Sequence, residues 1–100
     1  MSCTVEAGGY ILDRHYWTLA DSHGTIIELT RLEYRLADVL MRNYGRAVPY
    51  NEIRSFLWPA ANVSDVALPV YVNYLRAKLA KYAIETVRGV GYQFVGEHRQ

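Results

Sequence analysis

The apolar positions along this chain switch period as it runs. Through residue 29 they come in short β-prone runs, Tyr10-Ile11-Leu12, Tyr16-Trp17-Thr18-Leu19 and Thr25-Ile26-Ile27-Glu28-Leu29. Asp13-Arg14-His15 and Asp21-Ser22-His23-Gly24 separate them, a pattern that predicts a small antiparallel sheet. From Thr30 the period lengthens. Leu32, Leu36, Val39 and Leu40 share one helical face, which predicts a first helix to about Asn43, with Gly45 as its stop. Thr30-Arg31-Leu32-Glu33 is a capping box: each of Thr30 and Glu33 can bind the other's backbone N–H.

Arg46-Ala47-Val48 is a brief extended link. Pro49 suits the first turn of a second helix, where the missing N–H is harmless. Ile53, Phe56, Leu57 and Trp58 form that helix's apolar face, and Pro59 ends it. Residues 59–65 read as a loop in which Ser64 or Asp65 can cap a third helix, over about 66–82. Leu68, Val72, Leu75 and Leu79 are its core stripe. The opposite face carries Val70, Asn73, Tyr74, Ala77 and Lys81, with Arg76 and Lys78 at the flanks. Pro69 falls in the first turn and need not break the helix.

The chain closes on Thr86-Val87-Arg88-Gly89-Val90-Gly91-Tyr92, two short β-prone runs around two glycines. Because glycine tolerates positive φ, this predicts a tight hairpin with Arg88 at its tip. The order predicts an α+β fold, a winged helix-turn-helix in a single domain over 1–100. An N-terminal antiparallel sheet fills 1–29, three helices fill 30–82, and a wing hairpin fills 83–96.

Composition sharpens this. Half the residues are hydrophobic, 51%, enough for a core and too many for a disordered chain. Cys3 stands alone, so no internal disulfide forms, which suits a reducing cytosol. There is no membrane-length apolar run and no signal peptide, so the expected location is cytoplasmic. The net charge of +1 hides an asymmetry: residues 1–65 carry six basic and eight acidic side chains, net −2. Residues 66–96 carry Arg76, Lys78, Lys81 and Arg88 against Glu85 alone, net +3. Charge collected at one end points to a polyanionic partner.

That partner is read as double-stranded DNA. Asn73 can pair bidentately with adenine, and Val70 can meet a thymine methyl. Tyr74 can donate to a phosphate, and Arg76, Lys78 and Lys81 suit phosphates as point charges. Arg88 on a projecting hairpin suits a narrow minor groove. The plain alternative for each is a solvated surface residue. No catalytic triad, paired-carboxylate site, metal-ligand spacing or phosphate-cradling loop is present, so neither an enzyme nor a cofactor is expected.

The chain resembles the C-terminal effector domain of OmpR/PhoB-type response regulators over nearly its whole length. The matches are Leu29-Thr30 with Glu33 and Leu36, Gly45-Arg46, Trp58, Leu75-Arg76 with Lys78-Leu79, and residues 86–92 followed by Phe94. The resemblance implies a DNA-binding transcription regulator with a four-stranded N-terminal sheet, a third helix in the major groove and a hairpin at the minor groove. Thr86, within the matched hairpin, joins the candidate DNA contacts. The loop at 59–65 corresponds to a segment such proteins often turn toward RNA polymerase, and weak pairing on tandem DNA half-sites is implied as well. Members often carry Arg-Thr-Val-Asp-Val-His-Ile and two basic residues here. This chain has Val66 for the arginine, Pro69 for the aspartate and Asn73-Tyr74 for the basic pair, and Pro49 for the usual Ser-type cap of the second helix. With no receiver domain in 100 residues, the expectation is an effector domain that is either free-standing or excised from a longer regulator, the starting Met favouring the free-standing form. The depleted charge and the nine tyrosines motivate an alternative, a winged helix that binds RNA polymerase or another regulator.

Overall fold

The computed structural model describes residues 3–59 and 67–97. Strands β1 (Thr4–Ala7), β2 (Tyr10–Asp13), β3 (Thr18–Ala20) and β4 (Ile26–Ile27) form an antiparallel meander in chain order. Its register aligns Val5, Leu12, Leu19 and Ile27 on one face, and Leu12 and Leu19 are fully buried there. Strand period two then puts Glu6, Ile11, Ala20 and Ile26 on the other face. The apolar runs predicted three strands. The fourth, β1, matches the sheet that the family resemblance implied.

Tyr16 and Trp17 are not strand residues. The Asp13 carboxylate accepts the backbone N–H groups of His15 (2.8 Å) and Tyr16 (3.1 Å), folding 14–17 into a turn. Trp17 leaves that turn at φ 57°, a conformation a bulky side chain rarely adopts. Its ring stacks on Tyr34 of helix α1 (Arg31–Met41) at 5.5 Å. Asp38, also on α1, is held by Arg14 at 3.2 Å and Arg42 at 2.8 Å. The turn is thereby fixed against the helix.

Helix α1 begins as its capping box predicts. Thr30 Oγ1 accepts the Glu33 N–H at 3.3 Å and Glu33 Oε1 accepts the Thr30 N–H at 2.9 Å. Leu36, Ala37 and Leu40 are fully buried against the sheet and the other helices. Strand β5 (Val48–Pro49) leads into α2 (Tyr50–Leu57), so Pro49 stands just before the helix rather than in its first turn. The reason is pairing: β5 aligns Val48 with Tyr92 and Pro49 with Gly91. Ile53 and Leu57 are the buried side chains of α2, with Phe56 and Trp58 packed at the edge of the core. Val66, the proposed caps Ser64 and Asp65, and all of the 59–65 loop beyond Pro59 lie outside the described residues.

Helix α3 runs Ala67–Arg76, shorter than the apolar stripe predicted. Past Arg76 the chain tightens, with Lys78 N–H on Leu75 O and Leu79 N–H on Arg76 O. The Ala80 N–H, which a longer helix would turn toward Arg76, donates instead to the Tyr10 hydroxyl at 2.8 Å. A contact from the N-terminal sheet thus holds the chain just beyond the end of the helix. Leu68, Val72 and Leu75 are fully buried as expected, and Leu79 packs at the core's edge from the turn.

Strands β6 (Ile84–Val87) and β7 (Gly91–Phe94) form the wing, and β7 lies between β6 and β5. The two glycines have different tasks. Gly89 takes φ 78° in the turn. Gly91 sits in the strand, where a Cβ would collide with the Val48 carbonyl, so it is needed for close approach and not for turning.

Candidate nucleic-acid interface

Helix α3 buries one side, so its other side is fixed by geometry. Val70 is 40% exposed and Tyr74 is 55% exposed, and Asn73 is exposed between them. These three sequence-predicted residues form one outward row. Tyr71, which the sequence reading left out, is half-buried at its border. It packs on Trp58 at 5.7 Å and meets Tyr74 edge-on at 5.8 Å. The i, i+3 spacing of the two tyrosines was the available signal.

Arg76 joins this row to the wing. Its Nε donates to the Ile84 carbonyl at 3.1 Å and its Nη2 to Thr86 Oγ1 at 2.9 Å. Its Nη1 donates to Asn73 Oδ1 at 3.4 Å, and the guanidinium lies 5.6 Å from the centre of the Tyr92 ring. Five donors in a rigid plane let one side chain bind a helix, a strand and an aromatic face together. Asn73, Arg76 and Thr86 thus form one cluster. Burial raises the Tyr92 phenol above its ordinary pKa, and neighbouring Tyr50 adds to this while the Arg76 charge opposes it. The ring under Arg76 is therefore neutral at physiological pH. Beside it, Tyr50, Arg54, Leu68, Pro69 and Tyr92 line a cavity of about 300 Å³ where α2, α3 and the wing meet.

The other cations disperse. Lys78 turns away from the row: its Nζ lies 2.6 Å from Glu33 Oε1 and donates to the Glu28 carbonyl at 2.8 Å. The Glu33 carboxylate is 5% exposed. Burial alone would raise its pKa, but Lys78 and the Thr30 hydrogen bonds outweigh that and hold it below the usual value. Lys78 is in this way part of the α1 cap. Lys81 lies beyond α3 on an exposed turn, its Nζ 5.3 Å from the Tyr82 ring centre. Arg88 is exposed in the wing turn, 88–90, as the hairpin reading predicted. No described helix is long and apolar enough to cross a membrane.

The family described as transcriptional regulatory protein, C terminal, matches residues 24–94, which include the α1 cap, the α3 row and the wing. The chain belongs to this OmpR/PhoB-type family of DNA-binding domains. It is 34% identical to the response regulator ArlR of Staphylococcus aureus over 93 residues, covering 88% of this chain and 42% of ArlR. The chain thus spans about two-fifths of the length of that relative, and the match takes in its C-terminal part. The DNA-binding domain of CssR from Bacillus subtilis superposes with a TM-score of 0.74 at 26% identity, over 85% of this chain and 98% of that one. The DNA-binding domain of CpxR from E. coli superposes with a TM-score of 0.82, over 97% of this chain and 100% of that one. At 24% identity the CpxR match speaks for the fold alone. Within the OmpR/PhoB family this chain is a winged-helix effector domain of the response-regulator type.

Proposed function

We propose that this domain is a sequence-specific regulator of transcription that lays α3 in the major groove of double-stranded DNA and sets Arg88 of the wing at the adjacent minor groove. The observation that carries the reading is the Arg76 bridge. It ties the exposed Val70, Asn73 and Tyr74 row to Thr86 of the wing, so both elements meet a duplex as one surface. Val70 and Asn73 offer base-edge contacts, while Tyr74, Thr86, Lys81 and Arg88 offer contacts to phosphate and groove. Lys78 leaves the set of phosphate ligands because Glu33 holds it. Two copies on tandem half-sites would sit about 10–10.5 bp apart, pairing mainly on DNA.

Titration of the purified chain against salt on duplex DNA tests this. With about two phosphates neutralised per protomer, by Lys81 and Arg88, log K falls against log salt with a slope of about −2. Absence of salt-dependent binding near 50 mM salt, with stoichiometric capture of a polymerase subunit instead, would overturn the DNA reading.

A further inference from the structure

The amide of Asn73 has two unlike ends, and one of them faces Arg76. Its Oδ1 faces Nη1 of Arg76 at 3.4 Å. Arg76 cannot readily turn aside, because Nε is on the Ile84 carbonyl, Nη2 is on Thr86 Oγ1 and the plane rests against Tyr92. The bond to Asn73 is long, and its strength is not what orients the amide. Flipping the amide would set its NH₂ against a guanidinium that has only donors. Repulsion between donors therefore keeps Oδ1 inward and Nδ2 outward. Among the described residues nothing accepts from Nδ2.

We propose that Asn73 reads the acceptor edge of a purine, guanine before adenine, because Arg76 turns its amide oxygen inward and leaves the amide nitrogen facing out. An asparagine that pairs bidentately with adenine needs its oxygen to accept from N6 and its nitrogen to donate to N7. Here only the donor is presented. Guanine shows two acceptors side by side, O6 and N7, and suits that donor; adenine offers N7 alone and sets its own N6 donor beside it. Thr86 is polarised in the same sense. Its oxygen accepts from Arg76, which leaves its O–H to donate to a phosphate. Arg76 is thus a positioning residue that sets the hydrogen-bond polarity of two neighbours.

This inference rests on the DNA-binding reading. The experiment is selection from randomised duplexes with the whole chain, wild type and variants in parallel. Asn73→Ala locates the base pair, which is the position whose preference disappears. At that position the wild type favours guanine over adenine by about tenfold, within the discrimination expected of a good base contact. Asn73→Asp, at an exposed position beside Arg76, keeps the fold and presents only acceptors, so the preference moves to cytosine, whose N4 donates. Arg76→Met frees the amide and moves the preference toward adenine, a change of base identity that mere loosening of the wing does not produce. Adenine favoured by the wild type at the located position, or no preference lost in Asn73→Ala, overturns the proposal while leaving DNA binding intact. Failure of every variant and the wild type to bind any duplex overturns the DNA reading itself.

Discussion

Nζ of Lys78 lies 2.6 Å from Oε1 of Glu33, so a residue just past α3 completes the N-terminal cap of α1. Two lysines that look alike in sequence therefore differ in kind. Lys78→Met leaves a nearly buried carboxylate without its partner. Because Lys78 is itself 36% exposed and screened by solvent, the expected loss is about 1–3 kcal/mol. Lys81→Met stays within about 0.5 kcal/mol. On DNA the order reverses: Lys81→Met flattens the salt slope by roughly one and Lys78→Met leaves it unchanged. Urea titration and salt titration of both variants check this; equal stabilities for the pair would refute the assignment of Lys78 to the cap.

The same contact sets a pH dependence. The folded Glu33 pKa is depressed, so its contribution is present above the unfolded value, about 4.3, and is lost as pH falls through the lower folded one. Glu33→Gln is expected to be less stable than wild type at pH 7, with the gap closing as pH drops below about 4. Denaturant midpoints for both proteins across that range decide the matter. A gap independent of pH would mean the ion pair contributes nothing.

Opposite faces of α3 predict opposite consequences. Leu75 is fully buried, and Leu75→Ala is expected to cost about 2–5 kcal/mol. Asn73→Ala, on the exposed side, stays near zero in stability, and its effect belongs to DNA affinity. Small, equal losses in a denaturant titration would be incompatible with this placement.

What was legible in the sequence was local. Thr30 and Glu33 are three residues apart, and their reciprocal cap formed as read. Leu68, Val72 and Leu75 recur at helical spacing and are buried. What was not legible came from far along the chain. The partner of the Ala80 N–H beyond α3 is Tyr10, separated from it by 70 positions. The fate of Lys78 depends on Glu33, 45 positions away, so its side chain could only be read as a free cation. Gly91 was readable as a glycine that mattered, but its reason, the backbone of β5 against it, exists only once the strands pair.

The two wing glycines separate under the same substitution. Gly89→Ala puts a side chain at φ 78° in open space, which is expected to cost about 1–2 kcal/mol. Gly91→Ala drives a methyl into the Val48 carbonyl, with an expected cost of about 3 kcal/mol or more. Thermal unfolding of the two variants measures the difference, and a Gly91→Ala protein as stable as wild type would contradict the close strand contact.

Arg88 is exposed at the wing turn, and Arg88→Ala should leave the fold unchanged. Its affinity loss is expected to be larger on duplexes with an A-tract under the wing, where the minor groove is narrow and its potential deepest. The salt slope should fall by roughly one on all duplexes. Losses that ignore A-tract content would remove Arg88 from the minor groove and leave it a phosphate contact.

The absent side chain at Gly91 also bears on what the domain can tolerate in its target. Val48 and Gly91 bring the approach to α2 into direct backbone contact with the inner strand of the wing. Tyr50 adds to this by donating its N–H to the Val90 carbonyl at 3.1 Å. These contacts tie the hairpin to the approach to α2, and under the DNA-binding function proposed above they set a fixed gauge between the α3 and wing contacts. One base pair inserted between the bases under α3 and the groove under Arg88 shifts the second contact by roughly 3.4 Å and turns it by about 35°. A flexible wing would follow that displacement; a rigid one loses the contact, so spacing within a half-site becomes as much a part of recognition as the bases themselves.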